Sequence, residues 1–312
     1  MRLVTLIFTV ISLAAQAQFD GPGGQSGSMS IDKDHASITA WATSADLQVG
    51  PLQNSDSSLG YPTLGTVASA LGAFDGDLVS LGDGGTITLS FARPIQNGDG
   101  YDFAVFENGF NVGLSYYLEL AFVEVSENGT DFVRFPNESV IDTGFQTDNF
   151  GYTDPTKIYN LAGKHQAPYG TLFDLEEVGM NEVNYVRLID VVGSVNDSFG
   201  SRDSKGRIIN DPWPTPFASS GFDLDAVAVV NGTLLKREEH VLTGVNIYPT
   251  RANVYQYITV ESPQDARVEL MDMQGKIILE TIERQFSVDQ LGIYLVRVIQ
   301  ADKVYTQKIV VE

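Results

Sequence analysis

Short runs of alternating apolar and polar residues dominate the chain and predict strands rather than helices. Residues 86–91 place Ile87, Leu89 and Phe91 against threonine and serine neighbours, which is the period of a half-buried strand. Further strands are predicted at 101–107 and 183–192. Residues 117–125 and 132–135 flank the turn sequence Glu-Asn-Gly-Thr and predict a hairpin. Residues 37–45, which include Trp41, fit a short strand or a helix.

One stretch, residues 211–230 with the sequence DPWPTPFASSGFDLDAVAVV, combines a proline-rich loop with a strand. Asp223 and Asp225 stand at the mouth of that strand, one residue apart, and are expected on one side of the sheet. Strict alternation then puts Phe222, Leu224, Ala226 and Ala228 on the other side, with Val227 and Val229 continuing the acidic row. The pattern predicts a central strand whose open end faces a site.

The spacing of strands and turns predicts an all-β chain of two units. The first, residues 18–235, is expected to be a jelly-roll β-sandwich, although residues 142–182 are expected to be irregular. A charged linker at 236–242 leads to a small immunoglobulin-like sandwich at 243–312. Its strands are predicted at five positions: 258–261, 267–272, 276–280, 292–301 and 303–311.

The N-terminus and the charge indicate where the protein works. Residues 1–17 join a single arginine, an apolar run and Ala15-Gln16-Ala17, which predicts a signal peptide cut after Ala17. No later stretch is apolar and long enough to predict a transmembrane segment. The formal net charge of −21 argues against binding to nucleic acid. The chain has no cysteine, which excludes disulfides and zinc-thiolate sites.

The C-terminal unit carries four ordered blocks: Val245-Asn246-Ile247-Tyr248-Pro249, 268–276, 291–298 and Thr306-Gln307-Lys308-Ile309-Val310-Val311. In order and spacing they resemble the type A sorting domain of the type IX secretion system of Bacteroidota. Thr250-Arg251 departs from the family's usual Asn-Pro. The resemblance implies that this unit directs the chain through the type IX secretion machinery, to be secreted, extracellular or attached to the outer cell surface.

The first unit carries its own set of blocks, at 70–76, 79–82, 84–91, 102–107, 123–129, 185–191 and 221–227. Together they resemble a galactose-binding-like, discoidin-related jelly roll of bacterial cell-surface proteins. Some relatives accompany carbohydrate recognition, and others sit with outer-membrane uptake systems, including those for corrinoids. The resemblance implies the fold more strongly than a function.

The candidate metal site is a calcium ion held by carboxylates from separate loops, because calcium takes about six to eight oxygens in flexible geometry. The candidate ligands are Asp75, Asp77, Glu107, Asp223 and Asp225. The alternative is that Asp75-Gly76-Asp77 is a solvated turn and that Asp223 and Asp225 bind loop amides or an arginine.

Aromatic residues of the loops are the candidate ligand contacts. Trp213, fixed between prolines, offers a flat face for a ring, or else caps the core. Tyr152 and Tyr169, with Tyr159, are expected on the same rim. His165 is expected in an exposed loop.

Two charged residues interrupt the predicted strand at 183–192. Arg187 and Asp190 lie on opposite faces by parity, so each is expected to need a separate structural partner rather than a ligand.

These patterns favour a secreted or surface protein that binds a glycan or another small molecule. No Ser-His-Asp, His-Glu-x-x-His or phosphate-loop motif is present, and no catalytic residue is assigned. One alternative is an extracellular glycoside hydrolase that uses paired carboxylates such as Glu107 with Asp223 or Asp225. The others are a non-catalytic adhesin or spacer, and a surface component of an uptake system for ligands such as corrinoids.

Overall fold

The computed structural model describes residues 19–230, 244–262, 265–272, 276–300 and 303–312. The chain divides into two compact units, Met1–Lys236 and Arg237–Glu312. The predicted signal peptide and the predicted linker lie outside the described residues. Among the residues that are described, no helix is long and apolar enough to cross a membrane.

The part of the first unit that the structure describes contains fifteen strands. In chain order they are β1 (Ser30–Asp32), β2 (Ile38–Trp41), β3 (Ser44–Gln48), β4 (Val79–Ser80), β5 (Thr86–Gln96), β6 (Phe103–Glu107), β7 (Phe110–Val112), β8 (Ser115–Tyr117), β9 (Ala121–Ser126), β10 (Val133–Arg134), β11 (Glu138–Ser139), β12 (Ile158–Tyr159), β13 (Tyr169–Phe173), β14 (Glu182–Asp190) and β15 (Asp223–Val230). Short 3₁₀ helices occur at Ser57–Leu59, Val67–Ala70, Pro155–Lys157 and Leu175–Val178.

Two sheets of the first unit pack face to face, which confirms the all-β sandwich class. The first sheet has the order β1-β13-β6-β15-β2, with β4 also paired to β15. The second has the order β10-β9-β14-β5-β3. The predicted hairpin is β9–β10, in which Val133 lies opposite Val125. The ambiguous segment around Trp41 forms strands β2 and β3 rather than a helix.

Alternation explains how the two sheets meet. In β5, Ile87 and Leu89 are fully buried, whereas the threonine and serine residues between them are partly exposed. These apolar side chains pack with Phe103 and Val105 of β6 and with Leu188 of β14 in the main core. The core therefore lies between the sheets, and the strand ends and connecting loops are left to form sites.

Strand β15 is central, as predicted, but it contains a bulge at Asp225. Leu224 lies opposite Glu107 and Ala226 lies opposite Phe106, so Asp225 is the extra residue. The predicted faces of the second half of the strand are therefore wrong. The main core contains Phe222, Leu224 and Val227 of this region, and Val229 packs against it. Ala226 and Ala228 belong to a second cluster.

Strand β13 lies inside the segment expected to be irregular. It pairs with β1 on one side and with β6 on the other. Gly170 is required there because a Cβ at this position would stand 2.8 Å from the ring of Phe106. A strand that is almost wholly buried, with a glycine inside it, has no alternation to reveal it.

The second unit is a separate small sandwich. Its strands are β16 (Asn246–Tyr248), β17 (Arg251–Ala252), β18 (Tyr257–Glu261), β19 (Arg267–Met271), β20 (Ile277–Thr281), β21 (Gln285–Ser287), β22 (Gly292–Gln300) and β23 (Lys303–Val311). They form the sheets β16-β18-β21 and β17-β23-β22-β19-β20. Residues such as Ile258, Val296 and Ile309 build its own core.

Candidate functional site

The predicted metal ligands fall into two separate groups. In the first, Asp225 accepts hydrogen bonds from the backbone amides of Asp75 (3.3 Å) and Gly76 (2.9 Å). Asp75 in turn accepts one from the amide of Asp77, at 2.9 Å. The side chains of Asp75 and Asp77 are exposed. This group forms a turn that is tied to the sheet through Asp225.

The second group contains Glu107 and Asp223, and two further carboxylates join it. Glu119, between β8 and β9, and Asp211, before β15, are both buried. Glu107, Glu119, Asp211 and Asp223 are called the acidic cluster below. Sequence reasoning missed Glu119 and Asp211, although Glu119 interrupts an apolar run and Asp211 begins the proline-rich loop.

The acidic cluster is poorly supplied with hydrogen-bond donors. Glu107 Oε2 accepts a bond from the amide of Gly109 (2.6 Å), and Asp211 Oδ2 accepts one from the amide of Leu120 (2.9 Å). The other oxygens of these two residues, Glu107 Oε1 and Asp211 Oδ1, are buried and have no hydrogen-bond partner.

The other two members of the acidic cluster are bound by side chains. Glu119 Oε1 accepts a bond from the hydroxyl of Tyr117 (3.2 Å). Asp223 accepts bonds from the hydroxyl of Ser80 and from the side-chain amide of Asn108 (3.2 Å).

Burial raises the pKa of all four carboxyl groups of the acidic cluster, and repulsion from other members adds to the effect for Glu107 and Glu119. Burial is the larger cause for Glu107, followed by the charge of Asp223, and the pKa rises well above its usual value. The pKa of Glu119 rises in the same way, with Asp223, Glu107 and Asp211 as the strongest charges acting on it. Burial raises the pKa of Asp223 to about 6. The cluster therefore holds protons or needs a cation.

Arg187 and Asp190 have the separate structural partners that parity predicted. The guanidinium of Arg187 donates to Glu124 Oε2, with Nε at 2.7 Å. Asp190 accepts bonds from the amides of Phe222 (2.7 Å) and Gly84 (2.9 Å). Burial, with the charge of Asp83, raises the pKa of Asp190 to about 8. Asp190 joins the end of β14 to the start of β15.

Trp213 is partly buried and held by the protein itself. Its indole nitrogen donates to Asp83 Oδ2 at 2.9 Å, and its ring stacks on Phe199 with centroids 6.5 Å apart. Its backbone amide donates to the carbonyl of Thr147 at 3.0 Å. Trp213 thus fixes the proline-rich loop to its neighbours.

The exposed aromatic residues of the first unit include four on loops and one, Phe110, in strand β7. We call Phe110, Phe145, Phe150, Tyr152 and Phe217 the aromatic rim. Phe145 is 86% exposed and Phe150 is 69% exposed. The loops of Phe150 and Phe217 are in contact, because these two rings stack with centroids 5.5 Å apart. The amide of Thr153 also donates to the carbonyl of Tyr116, beside the β7–β8 hairpin, at 2.7 Å.

Two side-chain amides, the buried Asn210 and the half-buried Gln146, hold the loop of Phe145. Asn210 Nδ2 donates to the carbonyls of Asp142 (2.6 Å) and Phe145 (2.7 Å), and its Oδ1 accepts a bond from the amide of Thr147 (2.9 Å). Gln146 accepts a bond from the amide of Val195 at 2.9 Å. Phe145 is therefore exposed on a loop whose backbone is fixed.

Tyr152 is the one predicted ligand-contact tyrosine that lies on the aromatic rim. It lines two neighbouring grooves of about 280 Å³ and 310 Å³. The ring of Tyr169 is covered by Gly23 and Gly24, where an added Cβ would approach within 2.7 and 2.4 Å. Tyr159 stacks on Phe19 and donates its hydroxyl to Glu177 at 3.1 Å.

The expectation of an exposed His165 is wrong, because its side chain is 1% exposed. Its Nε2 lies 3.2 Å from Asp20 Oδ2, and Lys164 Nζ pairs with Asp20 Oδ1. Burial alone would raise the pKa of Asp20, but the bond from His165 and the charge of Lys164 lower it to about 2. Its partner lies 145 residues away, so no local pattern could reveal this contact.

Tyr117 connects the aromatic rim to the acidic cluster. Its ring stacks on Phe110 with centroids 5.2 Å apart, and its hydroxyl binds Glu119. Across the described parts of the chain, no three histidine or acidic side chains form a ready metal-ligand set. The calcium hypothesis stays a prediction, with the acidic cluster as its strongest location.

Comparison with known proteins identifies the second unit. Residues 246–312 match the family model of a secretion system C-terminal sorting domain. No curated protein matches the chain. Similar solved structures include β-glucuronidase of Faecalibacterium prausnitzii, with 12% identity over 90% of this chain and 46% of that one, and a TM-score of 0.28.

Two further solved structures are similar at the same low level. PorZ, a surface component of the type IX secretion system of Porphyromonas gingivalis, has 12% identity over 76% of this chain and 30% of its own, with a TM-score of 0.21. A Ruminococcus gnavus β-glucuronidase has 14% identity over 88% and 45%, with a TM-score of 0.25. The chain spans less than half the length of each of the three structures.

Proposed function

Because the second unit is a secretion sorting domain and the protein is exported, we propose that the first unit binds a glycan through the aromatic rim. The observation that carries this proposal is the exposure of Phe145 and its neighbours on a loop fixed by Asn210. The sorting domain supplies the route, through interaction with the type IX secretion machinery, to the cell exterior or the outer cell surface.

The physical argument rests on the water around the exposed rings. Covering apolar surface is favourable by about 25 cal/mol per Å², and sugar rings present C–H faces that cover aromatic rings. A fixed loop lowers the entropy lost on binding, because its backbone is ordered before the ligand arrives. The groove beside Phe145 also offers Asp142 and Lys157 for hydroxyl groups. The net charge of −21 disfavours strongly acidic glycans.

The carboxylates favour binding over hydrolysis. A glycosidase needs two carboxyl groups flanking the bond that it cuts. Glu107 and Asp223 are 1% and 3% exposed, and both are hydrogen-bonded within the protein rather than lining a groove. The aromatic rim likewise favours binding over a spacer role, in which exposed rings would serve no purpose.

The test compares rim variants with a surface control on residues 18–312. Affinity electrophoresis in laminarin, xylan and mannan, together with a glycan array, should retard the native protein in at least one neutral polysaccharide. Phe145→Ala and Tyr152→Ala should weaken that binding about tenfold each, whereas Val133→Ala, an exposed apolar residue on β10, should leave it unchanged.

Two results would speak against glycan binding by the aromatic rim. Retention that survives in the Phe145→Ala, Tyr152→Ala double variant would place binding elsewhere. No retention by any polysaccharide, together with a calorimetric signal for cyanocobalamin that Tyr152→Ala removes, would assign the rim to the corrinoid-uptake alternative instead.

A further inference from the structure

The acidic cluster brings four buried carboxylates to one end of the first sandwich. Glu107 ends β6, Asp223 begins β15, and Glu119 and Asp211 come from the connections before β9 and β15. Each of these four residues is at most 5% exposed. Because Glu107 lies opposite Leu224 in the sheet, its backbone is next to that of Asp223. The amide of Leu120, next to Glu119, binds Asp211.

Uncompensated negative charge distinguishes the acidic cluster from two other buried carboxylates of the unit. Asp20 has Lys164 and His165, and Glu124 has Arg134 and Arg187. By contrast, all of the strongest charges acting on Glu119 are other carboxylates: Asp223, Glu107, Asp211 and Asp190. Leaving ionised groups buried without a counter-charge costs several kcal/mol for each, of the order found for buried ions.

The second, independent observation is the pair of oxygens without partners. Glu107 Oε1 and Asp211 Oδ1 are both inaccessible to water and accept no hydrogen bond. Folded proteins rarely leave such atoms unpaired without a ligand or an ordered water. These atoms sit on two carboxylates that repel each other electrically, since the charge of Asp211 acts on Glu107.

From this arrangement we propose that the acidic cluster binds one calcium ion, with Glu107 and Asp211 as its principal ligands and Glu119 and Asp223 completing the charge balance. Among the described residues, no three histidine or acidic side chains are placed to hold a metal together, so the proposed site requires backbone carbonyls and water as its other ligands. Calcium accepts such mixed and irregular oxygen sets, at distances of about 2.3–2.6 Å.

The same chemistry selects against other metals. Magnesium requires near-octahedral geometry and gives up its water reluctantly, which suits carboxylates fixed in separate strands poorly. Zinc favours sulfur and imidazole, but the chain has no cysteine and His165 is engaged with Asp20. Calcium sites in extracellular modules bind in the range of about 10⁻⁴–10⁻³ M, a concentration met outside the cell.

The proposed ion goes beyond glycan binding and would act on the aromatic rim through Tyr117. The Tyr117 hydroxyl donates to Glu119, and its ring packs on Phe110. A calcium ion beside Glu119 would hold this carboxylate in place as the acceptor of the Tyr117 hydroxyl. Calcium should therefore order the β7–β8 hairpin as well as stabilise the sandwich.

The experiment uses residues 18–312 stripped of metal with a chelator. Calcium at tenfold its Kd should raise Tm by about 3–6 °C, and magnesium or potassium at equal ionic strength should raise it much less. Terbium, a luminescent calcium substitute, should show emission sensitised by Tyr117, which is displaced by calcium. Glu107→Gln and Asp211→Asn should reduce both responses at least tenfold, with Asp77→Asn as the surface control.

Binding and stability are read separately, so a poorly folded variant cannot imitate the expected result. Circular dichroism confirms that each variant is folded before titration. The proposal fails if the native protein shows neither terbium emission nor a calcium-dependent Tm. It also fails if Glu107→Gln retains the full response, or if Asp77→Asn alone removes it, since the ion would then lie elsewhere.

Discussion

Asn210 and Phe145 are joined by a hydrogen bond of 2.7 Å, from the side-chain amide nitrogen to the backbone carbonyl oxygen. Asn210 is 2% exposed, whereas Phe145 is 86% exposed. A buried polar side chain therefore fixes the backbone of the most exposed phenylalanine of the aromatic rim. Such a pairing is typical of a binding loop, where order in the free protein saves entropy on binding.

Replacing Asn210 should loosen this loop. Asn210→Ala removes bonds to Asp142, Phe145 and Thr147, and we expect the free energy of unfolding to fall by about 2–4 kcal/mol. Urea unfolding measures the loss, and chymotrypsin should cut after Phe145 much faster than in the native protein. Asn184→Ala, which removes one exposed bond to Glu127, should change neither quantity appreciably. Equal effects in the two variants would contradict the conclusion that Asn210 fixes the loop of Phe145.

We expect that Gly163 cannot be replaced, because its surroundings leave no room for a Cβ atom. Gly163 and Gly206 share a left-handed backbone, with φ of 79° and 80°. A Cβ on Gly163 would lie 1.8 Å from the carbonyl oxygen of Glu119, whereas one on Gly206 meets nothing within 4 Å. Gly206→Ala should cost about 1–2 kcal/mol in unfolding free energy. Gly163→Ala should cost several kcal/mol more or prevent folding, and similar losses would refute the steric argument.

The buried ion pair of Asp20 should make stability depend on acid. Its pKa is about 2 in the folded protein against 3.8 in the unfolded chain, so its contribution is complete above pH 4. The contribution, about 2 kcal/mol, is lost as the pH falls from 4 through about 2. Asp20→Asn should therefore be less stable than the native protein at pH 6 by at least this amount, with the difference shrinking in acid.

The measurement is urea unfolding of both proteins across that range. The groups facing Asp20 are the side chains of Lys164 and His165 and the backbone amide of Met29, and the variant removes the negative charge that faces all three. Asp34→Asn, which alters an exposed pair with Lys33, is the control and should cost less than about 1 kcal/mol at any pH. A difference for Asp20→Asn that does not change with pH would rule out the ion pair as its cause.

Removing the sorting domain should trap the protein before the outer membrane. A chain ending at residue 243, expressed in a type IX-competent host, should accumulate in the periplasm, because residues 246–312 carry the export signal. Cell fractionation and immunoblotting measure the distribution. As the reciprocal test, residues 1–17 and 244–312 fused to a fluorescent protein should send that protein out. Unchanged export of the shortened chain would contradict the sorting role.

The sequence predicted those strands whose positions are set by interactions between residues close together in the chain. Strands β5, β9 and β14 alternate or border clear turns, and their positions were predictable. Strand β13 was missed because burial on both faces removes alternation. The burial of His165 depends on Asp20, far away in the chain.

The acidic cluster was only partly predictable for the same reason. Glu107 and Asp223 stood at predicted strand ends, which marks them as site candidates. Glu119 and Asp211 join them only through the packing of four separate segments. No spacing rule connects carboxylates that the chain brings together after such long intervals.

The bulge adds one residue to β15 that does not take part in the alternation of its side chains. Asp225 is an additional residue that takes no place in the core, so its carboxylate is free to serve the loop at Asp75 and Gly76. Shortening the strand at Asp225 would keep Phe222 and Leu224 on the core side while untying that loop. The hydrogen bonds between Asp225 and this loop can therefore be removed, and the loop altered, without changing the core face of the strand.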